Sequence, residues 1–130
     1  SQEIINFITS NYDDSDINKV VNLATLKSLL GQGAIVASKL DANAGFVKFA
    51  NGFTIQWGIG GADNQQKSTV TYPIRFSTVF IVGAMDAFWE GSETPKYISN
   101  VGRESNNTKA VFIGNDNYVG SYYWFALGIS

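Results

Sequence analysis

The sequence has no cysteine and no histidine. Without cysteine there are no disulfides, no thiolate nucleophile and no cysteine-ligated zinc, and the redox compartment stays open. Without histidine the commonest general base and the commonest metal ligand are both missing. Charge is scarce too. Only 15% of residues are Asp, Glu, Lys or Arg, and 11 acids against 9 bases give a net charge of −2. No basic run is present, so no nucleic-acid partner is expected, because phosphate binding rests on clustered Lys and Arg. No apolar run approaches the length of a bilayer span, and no secretory leader is seen, so no membrane insertion is expected. The chain opens on Ser1 rather than Met, which reads as a piece of something longer.

What is present instead is aromatic surface, at 14% of residues, together with 13 glycines. At 130 residues the chain is long enough to bury a core without staples. The composition suits a β-rich domain that hides part of its surface in an assembly.

Three parts follow in chain order. Residues 1–30 form an N-terminal segment whose stretch DDSDINKVVNLATLKSLL has apolar residues at three- and four-residue spacing, predicting a helix over 13–30. Asp13, Asp14 and Asp16 favour its N-terminus, with Ser15 or Asp14 as cap, and Gly31 and Gly33 supply the stop. A lone helix of this length is marginal, so it needs either the domain core or copies of itself. A calcium loop is excluded: counted from Asp14, the sixth and twelfth positions are Lys19 and Thr25, not Gly and Glu. Residues 31–45 read as a linker. Residues 46–130 then carry about seven short strands with polar turns, which predicts a mainly β, antiparallel sandwich with a short N-terminal helix.

Within that domain, GFVKFA and FTIQWGI flank Asn51-Gly52, a strong hairpin signal. FTIQWGI alternates, predicting Phe53, Ile55 and Trp57 facing in and Thr54 and Gln56 facing out. Pro73 in STVTYPIRF argues for an edge or a bulge. Two strands are apolar on both faces. TVFIVGAMD sets Val79, Ile81 and Met85 against Phe80, Val82 and Ala84. SYYWFALGI sets Tyr122, Trp124 and Ala126 against Tyr123, Phe125, Leu127 and Ile129. A small antiparallel domain normally wets one face, so these strands predict self-association.

NGFTIQWGIG, VTYPIRFSTVFIVGAMD and YYWFALGIS, in that order, resemble the C-terminal domain of phage tail fibre proteins, and the upstream DDSDINKVVNLATLKSLL is similar to the helix that often precedes it. The resemblance implies an intimate homotrimer at the distal end of a fibre in the virion, made in the bacterial host cytoplasm. It also implies attachment to a bacterial surface receptor, either lipopolysaccharide or another surface polysaccharide, or an outer-membrane protein. The motif residues Gln56, Trp57, Gly58, Pro73, Trp124, Ala126 and Gly128 read as structural. Between Ala87 and Gly120 nothing matches, where such a tip would vary most.

If consecutive strands are antiparallel, their connections alternate between two ends. The turns at Asn51-Gly52, Ser77 and Ser105–Thr108 then share one end with Ser130. The longer loops 60–67, 87–96 and 115–120 share the other, and binding is usually carried on loops of a rigid scaffold. The candidate receptor-binding residues are Asp86, Phe88, Trp89, Glu90, Glu93 and Tyr97 around the second loop, and Asn115, Asp116, Asn117 and Tyr118 around the third. Aromatic faces beside carboxylates and amides suit sugars or a protein loop. The plain alternatives are a core or interface role for Trp89 and turn chemistry for Asn115–Asn117. No cofactor and no metal is expected. Two rival functions remain: a purely structural trimerisation tip, and a glycan depolymerase pairing Asp86 with Glu90 or Glu93.

Overall fold

A computed structural model describes residues 2–11, 31, 33–62, 65–87, 95–115 and 119–130. Two compact units are separated, one of residues 1–36 with 49–51 and one of 37–48 with 52–130. In the first, helix α1 (Gln2–Asn11) carries Glu3 in its first turn, where the helix dipole favours an anion. Its Gln2 Nε2 donates to Asn6 Oδ1 at 2.9 Å one turn on. This helix precedes the 13–30 stretch, which lies outside the described residues. No helix among the described residues is long and apolar enough to cross a membrane.

The second unit is two antiparallel sheets. The strands, all but Ile35, Val36 and Phe49 within this unit, are β1 (Ile35–Lys39), β2 (Ala44–Phe49), β3 (Phe53–Ala62), β4 (Lys67–Thr71), β5 (Thr78–Asp86), β6 (Ile98–Asn100), β7 (Lys109–Gly114) and β8 (Gly120–Ile129). The larger sheet has the order β1-β2-β3-β8-β5, the smaller β4-β7-β6. Among the described residues there are eight strands where seven were expected. The extra one, β1, falls inside the stretch read as a linker. All five of its residues are exposed, so no burial pattern could mark it in the sequence. β2 and β3 form the hairpin expected at Asn51-Gly52, with Gly52 at φ 93°, a conformation that costs glycine little.

Strand β3 is inverted relative to the alternation read from its sequence. Thr54 and Gln56 are fully buried, while Phe53, Ile55 and Trp57 take the outer face, half-buried. The inversion is possible because both polar side chains find partners far along the chain. Gln56 Nε2 donates to Ile74 O at 2.8 Å, and Ile74 N donates back to Gln56 Oε1 at 3.0 Å. Thr54 Oγ1 lies 3.0 Å from Gly52 O and 2.8 Å from Ser130 Oγ. A buried polar group that is fully paired costs little. The inner positions of β3 must also be thin. A Cβ at Gly60 would overlap the Tyr122 ring, and one at Gly58 would press on the Trp124 indole.

Strand β5 departs from plain alternation as well. Its pairing with β8 slips between Val79 and Ile81, leaving Phe80 as an extra residue in a bulge. The slip moves Val79 onto the same face as Val82 and Ala84, and all three pack on the core. Pro73 lies in the connection between β4 and β5, not within a strand. The core itself is a file of aromatics between the sheets. Tyr72 meets Phe76 edge-on at 4.9 Å and Trp124 at 5.9 Å, and Phe112 meets Tyr122 at 5.2 Å. Tyr122 Oη pairs with Ser68 Oγ at 2.8 Å across the sheets, while burial raises the pKa of this phenol.

Candidate functional site

The antiparallel register sorts the connections into two ends. β3 and β8 pair from Phe53↔Ile129 to Ala62↔Gly120. At the first end, Ser130 N donates to Gly52 O at 3.0 Å and Ser77 N to Ile129 O at 2.7 Å. Phe76 N reaches Asn107 O at 2.9 Å, which brings the β6–β7 connection to the same end. Asn106 Oδ1 accepts from Thr108 N at 2.9 Å and Lys109 N at 3.1 Å, a plain side-chain-closed turn. Lys67 Nζ, at the opposite end of β4, forms an exposed ion pair with Glu104 at 2.9 Å. The hydrogen bond from Lys67 holds that carboxyl below its ordinary pKa.

At the second end the bases of the other three connections are tied together by backbone bonds. Val119 N donates to Gln65 O at 2.8 Å and Gly114 N to Gln66 O at 3.2 Å, joining the β3–β4 and β7–β8 connections. Ala87 N donates to Ser121 O at 3.1 Å, joining the β5–β6 connection to β8. The first connection is shorter than read, because Gly60, Gly61 and Ala62 still belong to β3.

Three of the candidate residues lie in this described base. Asp86 ends β5, half-buried, and its Oδ2 accepts from Lys96 N at 2.8 Å. That bond closes the neck of the 87–96 loop. Asn115 Oδ1 accepts from Tyr97 N at 3.0 Å, linking the second loop to the third. Tyr97 is held by its backbone, while its side chain is 80% exposed. Asp86 and Asn115 thus act as loop fasteners, and Tyr97 offers an aromatic face. Phe88, Trp89, Glu90, Glu93, Asp116, Asn117 and Tyr118 lie outside the described residues. Gln65 and Gln66 were missed in the sequence because they act through backbone carbonyls, which any residue has. Among the described residues no group of three acidic side chains could hold a metal ion.

A second surface stands out on the outer face of the larger sheet. Register places Ile59 beside Tyr123, and Tyr123 beside Met85. Ile81, Ile59, Met85 and Tyr123 are between 43% and 55% exposed, next to half-buried Ile55, Phe125 and Leu127. Contiguous apolar area of this kind is uncommon on a monomer.

A family model described as "Putative tail fiber protein gp53-like, C-terminal" matches residues 48–129. Among solved structures, an N-truncated R2-type pyocin tail fibre superposes with a TM-score of 0.66 at 23% identity, over 83% of this chain and 43% of that one. A C-terminal fragment of the P. aeruginosa R2 pyocin fibre gives 0.65 at 23% identity, over 82% of this chain and 29% of that one. An N-truncated R1-type pyocin tail fibre gives 0.57 at 19% identity, over 82% of this chain and 96% of that one. At these identities the likeness is one of fold, and the chain spans less than half the length of the two R2 fibre structures. No curated protein matches. With a family model covering most of its length, from the β2–β3 hairpin to the end of β8, the chain belongs to the gp53-like family of tail fibre C-terminal domains.

Proposed function

We propose that this domain is the receptor-binding tip of a phage or phage-tail-like bacteriocin fibre. In this reading three copies associate through the outer face of the larger sheet, which removes Ile59, Ile81, Met85 and Tyr123 from water. The end carrying loops 60–67, 87–96 and 115–120 meets the bacterial surface, with Trp89 and its neighbouring carboxylates in contact. The receptor is a surface glycan or an outer-membrane protein. The observation that supports this most is the lacing of the three connections at one end by Val119–Gln65, Ala87–Ser121 and Tyr97–Asn115. Variable loops can then be presented on a fixed base, the arrangement that binding loops on rigid scaffolds use. Three copies would tighten a weak site through effective concentration.

A structural trimerisation tip and a carboxylate-dependent depolymerase are the rivals. In the second, Asp86 would have to act while its Oδ2 holds Lys96 N at the loop neck. The test is competition for adsorption to host cells. The purified domain should block attachment of the parent particle. Trp89→Ala and Asp116→Ala should lose that block with the melting temperature unchanged. A scaffold would keep fibre function after replacement of residues 87–96, and a depolymerase would release glycan fragments from the cells. Either result refutes the proposal.

A further inference from the structure

Asn51 is the one asparagine of the chain that stands before a glycine. The pair forms the tip of the β2–β3 hairpin, with Asn51 exposed and Gly52 at φ 93°. That φ keeps residue 52 a glycine, because a side chain there is strained. The same requirement leaves the backbone nitrogen of residue 52 with no Cβ beside it. Asn51 Cγ can close on that nitrogen in a five-membered ring, and nothing on Gly52 stands in the way. Every other asparagine precedes a residue that carries a side chain. Several also have their amides tied down. Asn100 Nδ2 donates to Ser105 Oγ at 2.9 Å and to Val111 O at 3.0 Å, and Asn107 Nδ2 donates to Ser77 O at 3.3 Å. Asn106 Oδ1 and Asn115 Oδ1 each accept from backbone N–H groups.

We propose that Asn51 is a site of spontaneous deamidation, and that the modification unfastens the end of β8. The Gly52 nitrogen attacks Asn51 Cγ. A new C–N bond forms, the Cγ–Nδ2 bond breaks, and ammonia leaves with the proton that the Gly52 nitrogen gives up. Water then opens the resulting succinimide. Opened at Cγ, the ring leaves an aspartate on a normal backbone. Opened at the main-chain carbonyl, it leaves an isoaspartate, whose backbone runs through Cβ and Cγ and is one atom longer. Both products add a negative charge to the hairpin tip.

The fold gives the added atom its consequence. Gly52 O anchors the residue that follows β8, accepting from Ser130 N at 3.0 Å and from Thr54 Oγ1 at 3.0 Å. Ser130 Oγ lies 2.8 Å from Thr54 Oγ1 and completes the clasp. The surroundings of Gly52 are close, since a Cβ on it would stand 3.2 Å from Ile129 Cγ2. Hairpin register follows turn length, so a turn lengthened at residue 51 draws Gly52 O away from Ser130 N. The left-handed turn that requires glycine thus carries a reaction that loosens the strand end it helps to hold. No ligand takes part, so the reaction is independent of what the domain binds.

The test ages the folded, isotopically labelled chain in mildly alkaline buffer at body temperature and maps its peptides by mass spectrometry. Asn51 should convert first, with the mass gain of an amide turned to an acid, and an isoaspartyl methyltransferase should label part of the product. Asn51→Ser should abolish both signals. Anion exchange then separates the isoaspartate form. Its Ser130 and Thr54 amides should shift, and its melting temperature should fall by about 3–6 °C at fixed protein concentration, the worth of one net hydrogen bond in a domain of this size. Freshly made Asn51→Asp carries the same charge on a normal backbone and should keep the parent's amide positions at Ser130 and Thr54. Asn51 left intact in the folded chain, or conversion of another asparagine ahead of it, would overturn the site. An isoaspartate form with unmoved Ser130 and Thr54 amides, or equal shifts in Asn51→Asp, would overturn the unfastening.

Discussion

Gln56 offers the most discriminating perturbation of the fold. Its amide sits fully buried and closes two hydrogen bonds on Ile74, donating to the carbonyl and accepting from the N–H. Gln56→Leu keeps the volume but orphans both backbone groups, at roughly 1–3 kcal/mol each. A loss of about 2–6 kcal/mol is expected. Gln56→Glu asks the sharper question. Protonated, the introduced carboxyl can copy the amide, its O–H donating to Ile74 O and its carbonyl accepting from Ile74 N. Ionised, it has no donor, faces a carbonyl and has lost its water. Its pKa in the folded chain must therefore rise above the unfolded value of about 4.3. The folded state then binds the proton more tightly. Stability is full below about pH 4 and declines as pH rises through the folded-state pKa. A rise of two to three units converts to about 3–4 kcal/mol lost at pH 7. Urea melts of parent and variant at pH 4 and pH 7, at one fixed protein concentration, measure the difference. An equal deficit at both pH values would refute the inverted placement of β3, since an outward-facing carboxylate has no reason to prefer its proton.

Trp124→Ala should cost about 3–5 kcal/mol by thermal or urea unfolding, as large truncations in aromatic cores do, and removal of the last nine residues should prevent folding. A soluble, folded truncation would show that the larger sheet does without β8. Burial pushes the Tyr72 hydroxyl up to about 12 from its ordinary 10.0, so the folded chain holds that proton more tightly than the unfolded one. Its contribution is complete below about pH 10 and is lost toward pH 12. Tyr72→Phe should flatten the alkaline limb of the stability profile, and an unchanged limb would refute the assignment. For association, light scattering of the parent should report three chains at micromolar concentration. Ile81→Lys, on the outer face at edge strand β5, should lower that mass. A monomeric parent would refute the proposed trimer.

Much of the architecture could be read from residues alone. Asn51-Gly52 marks its hairpin because few dipeptides tolerate that turn, and antiparallel order by itself sorts the connections into two ends. The phase of β3 could not be read. The partners that make Thr54 and Gln56 acceptable inside are Ser130 and Ile74, and no local pattern announces a partner so far along the chain. Strand β1 was hidden for the opposite reason, being exposed along its whole length. The face assignment of β5 failed at Val79 and Phe80, because a bulge at Phe80 shifts a period-two pattern without changing its composition. Asp86 and Asn115 were legible as polar residues beside loops, but their work as fasteners depends on Lys96 N and Tyr97 N, which carry no side-chain signal.

The place of β8 also bears on the order of events during synthesis. It is the last of the described strands in chain order yet lies inside the larger sheet, with β3 on one side and β5 on the other. The residues it joins are distant, with Thr54 and Ser130 76 positions apart and Tyr122 and Ser68 54 apart. Until β8 leaves the ribosome, β5 has no neighbour in its sheet and β3 is paired on its β2 side alone, so one edge of β3 and both edges of β5 stand open. Such long-range closure is slow, and the waiting strands are exposed to wrong partners meanwhile. In a cell translating many copies at once, the nearest wrong partner is another unfinished chain. Yield of this domain should therefore depend on translation rate and on chaperone supply more steeply than its final stability would suggest.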